Sequence, residues 1–298
     1  MNLPPKLKFK DEVILIAPAR KVELESLIMA ENLLLKWGLK PLRSKNILAE
    51  AGIFAGDKEK RILDLQWAID HPTAKAIWCF RGGYGSIQLL EGLNPAPFLQ
   101  NPKWVIGFSD ITNIHCFSNI ILNTASIHAT MPINIVSNTP QSLESLKGVL
   151  FKQEINYKIN SSPKNIHGEV MGTIVGGNLS ILCASLGTNY QPDFENKILF
   201  IEDIDEYLYK IDRMLWQLKF AGVFHQIKGL IIGHFTNTKD NSTAFGMNLE
   251  EMVLQKLIEF DFPVVFNFPS GHENENLTLP LGLPLNLKVN SRSTVLHS

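Results

Sequence analysis

From Val13 to Ile121, short apolar runs alternate with amphipathic stretches, and this alternation narrows the possible folds more than any other feature of the chain. Val13 to Ile16 reads as a buried strand and Val22 to Trp37 as an amphipathic helix closed by Gly38. Leu39 to Leu42 is a candidate second strand, Asp57 to His71 a helix stopped by Pro72, and Ala76 to Phe80 a further strand. Trp104 to Phe108 is the next apolar run, after which Ile111, Ile114, Phe117, Ile120 and Ile121 recur at helical spacing. Continuous apolar strands separated by helices predict a parallel sheet covered on both faces. Such sheets gather binding groups at the carboxyl ends of their strands. The loop Arg81-Gly82-Gly83-Tyr84-Gly85-Ser86 and the bend at Ser109 both fall at such ends.

A length of 298 residues corresponds to roughly two domains. Between about Pro132 and Lys164 the pattern weakens and Asn, Ser, Thr, Gln and Pro accumulate. The junction is expected there, dividing residues 1–150 from residues 151–298. In the second part, Glu169 to Val175, Ile198 to Ile201, Gly229 to Ile232 and Pro263 to Phe268 read as strands. Leu179 to Leu186, Tyr207 to Phe220 and Leu249 to Phe260 read as helices. Leu277 and Leu279, followed by Leu285, Leu287 and Val289, alternate as a terminal hairpin would. The fold class is α/β in both parts, with a second sheet in the second.

Charge excludes some partners. The 28 basic and 29 acidic residues leave a net charge of -1, so no overall field favours nucleic acid or an anionic membrane. Small neutral or zwitterionic substrates fit better. The three cysteines, Cys79, Cys116 and Cys183, sit in apolar segments and read as reduced core residues. Lys6, Lys8 and Lys10 precede an apolar run ending Ala17-Pro18-Ala19 that imitates a signal peptide. Asp11 and Glu12 interrupt it, so the run is expected to be the first strand. No segment is long and apolar enough to span a membrane, and the cytoplasm is the expected compartment.

Nucleophilic hydrolysis needs a hydroxyl, a base beside it and a group that orients the base. Ser109 in Gly107-Phe108-Ser109-Asp110 lies at a strand-to-helix bend, where a side chain stands clear of the sheet and helix N–H groups face an incoming negative charge. Ser and Asp are also ordinary N-cap residues, and Ile111 stands where a nucleophile elbow carries its second glycine. Among eight histidines, only His272 combines a strand end with a Ser-Gly approach and a polar loop, Glu273-Asn274-Glu275-Asn276. Glu202 and Asp203 both end an apolar strand. Asp203 suits the start of the next helix, which leaves Glu202 as the better orienting acid. Arg213 is expected to pair with Asp212 or Glu206. The glycine-rich loop lacks both the G-x-G-x-x-G pattern and the Walker lysine, so it can offer an N–H to an oxyanion as readily as to a phosphate. No His/Cys spacing suits zinc, and neither metal nor cofactor is expected.

Taken together, Arg81-Gly82-Gly83-Tyr84-Gly85, Gly107-Phe108-Ser109-Asp110-Ile111-Thr112, Gly176-Gly177-Asn178-Leu179, Glu202-Asp203 with Glu206, Tyr209 and Ile211-Asp212-Arg213, and Gly271-His272 carry a resemblance. In this order they resemble the serine-type L,D-carboxypeptidases, which include murein tetrapeptide carboxypeptidases and microcin-immunity peptidases. The resemblance implies Ser109 as nucleophile, Glu202 as orienting acid and His272 as base, with oxyanion donors from the N–H groups of Gly83 and Asp110. Arg81, Tyr84 and Asn178, within the same motifs, become candidates for substrate binding. It also implies a flavodoxin-like N-terminal domain, a C-terminal domain with its own sheet, a site between them, and a homodimer. The implied substrate is a muropeptide tetrapeptide losing its terminal D-Ala in cell-wall recycling. A peptide-nucleotide antibiotic is the alternative within the class, and a phosphorylated-ligand binding module the alternative outside it. Arg20 departs from the pattern, because a small residue is expected after the first strand.

Overall fold

The computed structural model describes all 298 residues, Met1–Ser298. In chain order the first elements are β1 (Glu12–Ile16), α1 (Leu24–Lys36), β2 (Lys40–Arg43), α2 (Lys58–Asp70), β3 (Ala76–Cys79), α3 (Ala96–Gln100), β4 (Trp104–Gly107), α4 (Thr112–Ile120), β5 (Ser126–His128) and α5 (Pro140–Lys152). Next come β6 (Asn156–Asn160), β7 (Gly168–Asn178), α6 (Leu179–Ser185), β8 (Lys197–Ile204), α7 (Leu208–Phe220), α8 (Val223–Gln226), β9 (Gly229–Thr236), α9 (Leu249–Lys256) and β10 (Val264–Val265). The chain ends with β11 (Leu279–Leu281), β12 (Pro284–Val289) and β13 (Ser293–His297).

The contacts divide into two compact units, Met1–Gln153 with Leu277–Gly282, and Glu154–Asn276 with Leu283–Ser298. In the first, the strand order is β11-β5-β4-β3-β1-β2. Strands β2 to β5 run parallel to β1 in the flavodoxin-like order 2-1-3-4-5, and β11 adds an antiparallel edge. β3, β4 and β5 are buried along their whole length, which is why β3 and β4 read as apolar runs. Because the connection from β1 to β2 leaves on one side and β3 follows on the other, the carboxyl ends of β1 and β3 flank the topological switch point.

The second unit holds a mixed sheet in the order β10-β9-β8-β7-β12-β13-β6. Its parallel half, β7 to β10, carries buried Ile174, Ile198, Leu199, Phe200, Ile201, Leu230, Ile231 and Ile232. Its antiparallel half, β12, β13 and β6, shows the buried-exposed alternation of a sheet with one wetted face.

Several sequence expectations are corrected here. The polar stretch 132–164, where the pattern weakens, contains α5 and β6, which the sequence reading did not assign. Thr139 caps α5 by accepting from the Ser142 N–H at 3.3 Å, with Pro140 in the first turn, and only Leu146, Val149, Leu150 and Ser142 are buried. That apolar stripe is too narrow to stand out among Ser, Gln and Lys. The terminal hairpin is β12 with β13, whereas Leu279–Leu281 pairs antiparallel with Ser126–His128 in the other sheet. Alternation marks a strand but does not name its partner. Arg213 pairs with neither expected acid and lies over the Tyr209 ring at 5.7 Å. Asp212 pairs instead with the fully buried Lys256, and Glu206 with Lys210.

Candidate active site

Sequence places Ser109 after a buried strand, and the structure gives the bend its shape. Phe108 is still extended, at φ -155° and ψ -173°, and Ser109 then swings to φ 63°, a left-handed conformation that a side chain with a Cβ adopts at a cost of about 1 kcal/mol or more. A 3-10 turn, Ser109–Ile111, leads into α4. This strained strand–turn–helix holds the hydroxyl clear of the sheet, and the Asp110 nitrogen opens the turn where a helix has no internal partner for its first N–H groups.

Neighbouring groups hold the bend in place. The buried Asp110 carboxylate accepts from the Ser86 N–H at 3.0 Å, and the Asp110 carbonyl accepts from the Ser86 hydroxyl at 2.6 Å and from Asn113 Nδ2 at 3.0 Å. Burial raises the Asp110 carboxyl above the usual range, outweighing the Ser86 hydrogen bonds and the charge of Arg61. Arg61, itself buried, donates to the carbonyls of Pro18 at 3.1 Å and Gly85 at 3.0 Å, and stacks on Phe54 at 4.5 Å. The glycine-rich loop is thereby tied both to the Ser109 bend and to the end of β1. Gly82 lies so close that a Cβ there would stand 3.1 Å from the Asp110 nitrogen and 3.3 Å from Ser109 Oγ. Only glycine lets the loop's backbone reach the hydroxyl. Next to it, Gly83 has φ +112°.

In the second unit, β8 does not stop at Ile201 but continues through Ile204, with a register shift between Ile201 and Asp203. Both acids are therefore buried strand residues. Glu202, 0% exposed, accepts from His272 Nδ1 at 2.6 Å. A carboxylate can only accept, so Nδ1 carries the hydrogen and Nε2 is the basic nitrogen. Gly271, at φ +135°, permits this approach, because a Cβ there would lie 3.2 Å from Glu202 Oε2 and 3.2 Å from His234 Cβ. Asn276 holds the loop by accepting from the Gly271 N–H at 3.0 Å and the Ser270 hydroxyl at 3.2 Å. Burial pulls the His272 pKa down, but the Glu202 charge and hydrogen bond, with Asp203 and Asp205 behind them, outweigh it. The net effect raises the imidazole above its ordinary value.

Asp203 turns elsewhere. Its oxygens accept from Asn178 Nδ2 at 2.8 Å, the Ser180 N–H at 3.0 Å and its neighbour Ile204 N–H at 2.9 Å. The sequence assigned it to the helix that follows, but it braces the start of α6, which precedes it in the chain. No periodicity could show that, since β7 and β8 lie side by side only in the folded sheet. Burial first, and then the Glu202 charge, push the Asp203 carboxyl up to about 6 against these hydrogen bonds.

The remaining candidates are placed as follows. The Asn178 side chain caps α6, accepting from the Ile181 N–H at 3.3 Å and the Ser180 hydroxyl at 2.7 Å. Tyr84 is 49% exposed and leans on Phe54 at 6.2 Å between centroids. Arg81 is half-buried. Sequence reasoning did not connect Arg20 with the glycine-rich loop, although the two are in contact. His115 is buried, donates from Nε2 to the Gly107 carbonyl at 2.9 Å, and is pushed down to about 4 by that burial, so it supports the bend as a neutral ring. All three cysteines are unpaired and buried. No group of His, Cys, Asp and Glu is arranged to hold a metal ion, and no helix is long and apolar enough to cross a membrane.

With this geometry described, comparison with known proteins defines the class. Residues 13–129 match the LD-carboxypeptidase N-terminal domain and residues 171–287 the LD-carboxypeptidase C-terminal domain. A Bacillus subtilis protein named probable murein peptide carboxypeptidase is 30% identical over 304 residues, spanning 100% of this chain and 95% of the relative. The crystal structure of muramoyltetrapeptide carboxypeptidase from Oxalobacter formigenes superposes with a TM-score of 0.88 at 28% identity, covering 96% of this chain and 98% of that one. The microcin C7 self-immunity protein has the same fold, with a TM-score of 0.88 at 22% identity over 100% of this chain and 99% of that one. The chain belongs to the LD-carboxypeptidase family. It is a serine-type carboxypeptidase.

Proposed function

We propose that this carboxypeptidase cleaves the amide joining an L-configured centre to a terminal D-amino acid, releasing D-Ala from muropeptide tetrapeptides. The observation that carries the reading is the buried Glu202–His272 hydrogen bond of 2.6 Å, the arrangement that orients a general base and stabilises its protonated form. Ser109 Oγ attacks the carbonyl carbon while its proton passes to His272 Nε2. The Gly83 and Asp110 N–H groups stabilise the oxyanion. Collapse returns the proton to the leaving nitrogen, freeing the D-amino acid, and water then resolves the acyl-enzyme by the same route. Arg81 and Tyr84 contact the substrate, while Asn178 acts by fixing the α6 end and Asp203. Names of relatives that act on murein peptides support the substrate class. The resemblance drawn from the sequence motifs extends this proposal to cell-wall recycling in the cytoplasm by a homodimer, without metal or cofactor.

A phosphorylated-ligand site at the Gly82-Gly83 loop is disfavoured, because the Asp110 carboxylate already occupies the Ser86 N–H and would repel a phosphate there. The peptide-nucleotide alternative rests on a likeness at 22% identity, which speaks to the fold alone. A panel of muropeptides and a peptide-nucleotide amide, followed by mass, decides the matter. Loss of one D-Ala from tetrapeptides is expected, undiminished after exhaustive chelation. Cleavage of the peptide-nucleotide alone, or loss with EDTA and recovery with zinc, would overturn the proposal.

A further inference from the structure

Arg20 and Arg81 stand at the carboxyl ends of β1 and β3, the switch point where open α/β sheets bind their ligands. Arg20 lies against the loop beside the nucleophile, since a Cβ on Gly83 would come within 2.6 Å of both its Cδ and its Nε. Gly82, the preceding residue, is the one packed on Ser109 Oγ. Neither guanidinium has an acidic partner. The ion pairs of this region are Lys21 with Glu50 at 2.8 Å and Lys60 with Asp57 at 3.4 Å. Arg81 reaches only the Lys21 carbonyl, at 3.4 Å, and its Nε is buried without a partner. Burial, and then the repulsion of Arg20, pull the Arg81 pKa down, with Glu23 opposing.

Arg81 keeps a buried Nε without a partner, and the exposed Arg20 lies against the same loop, so an anion there would meet donors that the protein itself leaves unused. The planar fork of arginine matches a carboxylate through two parallel hydrogen bonds. Reach agrees as well. One residue of chain separates the Ser109 contact from the Arg20 contact, about 3.8 Å between Cα atoms. In a peptide cut at its last bond, the free carboxylate carbon lies about 4 Å from the attacked carbon.

We propose that Arg20, with Arg81 beside it, is a specificity-determining residue that binds the free α-carboxylate of the substrate's terminal residue. This rests on the hydrolytic reading given above. Arg20 stands where the family resemblance expects a small residue, so it gives this chain a stricter demand for a free carboxyl terminus. A C-terminal amide of the same peptide leaves the guanidinium unneutralised.

The test uses Ser109→Ala protein, which binds without turning over, and one tetrapeptide ending in D-Ala, supplied as the free acid and as the amide. Affinities are read by calorimetry. The acid is expected to bind about ten- to a hundredfold more tightly than the amide, the range for hydrogen bonds to a charged group. Adding Arg20→Gln should abolish that ratio with little change in amide affinity, and Arg20→Lys should restore part of it. An acid-to-amide ratio untouched by Arg20→Gln, or an acid that does not bind, overturns the proposal. The hydrolytic reading is tested separately with wild-type protein on the same acid. Arg20-dependent acid binding without wild-type cleavage would sustain the carboxylate site and remove the hydrolysis.

Discussion

The Ser109 bend and the Glu202–His272 pair prepare their side chains by opposite means. At the bend, the backbone does the positioning. Ser109 is held at φ 63° by packing and by the Asp110–Ser86 hydrogen bonds, and a glycine without a side chain lies against it. At the pair, the strand buries Glu202 completely even though its register shifts there, and the preparation is electrostatic. The first arrangement tolerates changes of charge but not of shape. The second tolerates changes of shape poorly and changes of charge hardly at all, because a buried carboxylate depends on its one partner.

The strongest way to break this contrast is Ser109→Ala. Alanine keeps the backbone's need for positive φ, so the fold and melting temperature should barely change, while turnover falls by about a million-fold, the scale for a lost triad nucleophile. D-Ala release by mass and a thermal melt give both readings. Turnover within tenfold of wild type would reduce Ser109 to a helix cap.

Next in size is Glu202→Gln, expected to lower turnover by about 10⁴ with little change of shape. It also has a pH signature. The net pKa shift of His272 is upward, so a neutral base appears only as pH rises through a midpoint above about 6.5, and activity should rise across it. The matching stability contribution is complete below about 6.5 and is lost as pH rises through the folded value. Without the Glu202 charge, burial acts with less opposition and the midpoint should fall. Imidazole NMR titration of both proteins measures this, and an unmoved midpoint would separate His272 from Glu202.

The smallest effect belongs to Asp203→Asn, which sharpens the comparison by testing the neighbouring acid. The amide cannot accept at both positions, so one of the Ser180 or Asn178 donors is left unpaired, at a cost of about 1 to 3 kcal/mol partly offset by removing a strained charge. The folded carboxyl, raised to about 6, holds its proton more tightly than the unfolded one. Wild-type stability should therefore decline as pH rises from about 4 through 6, and the variant should show less of that decline. Turnover should stay within tenfold. A large catalytic loss confined to Asp203→Asn would mean that it, and not Glu202, serves the base.

The sequence by itself determined the alternating α/β order, the strand-to-helix bend at Ser109, and a histidine loop after a strand end. Each of these is local, written in apolar periodicity, glycine stops and the residues within a few positions of the bend. Tertiary structure alone decided what depended on elements distant in sequence. It set the strained φ of Ser109, sent Leu279–Leu281 to the sheet of β5, and gave the Asp203 oxygens to α6 while Glu202 turned to His272, 70 positions further on. It also laid Arg20 on Gly83. Strand alternation fixes which face a residue occupies, but the neighbour across a sheet or a switch point is chosen only when the strands have paired.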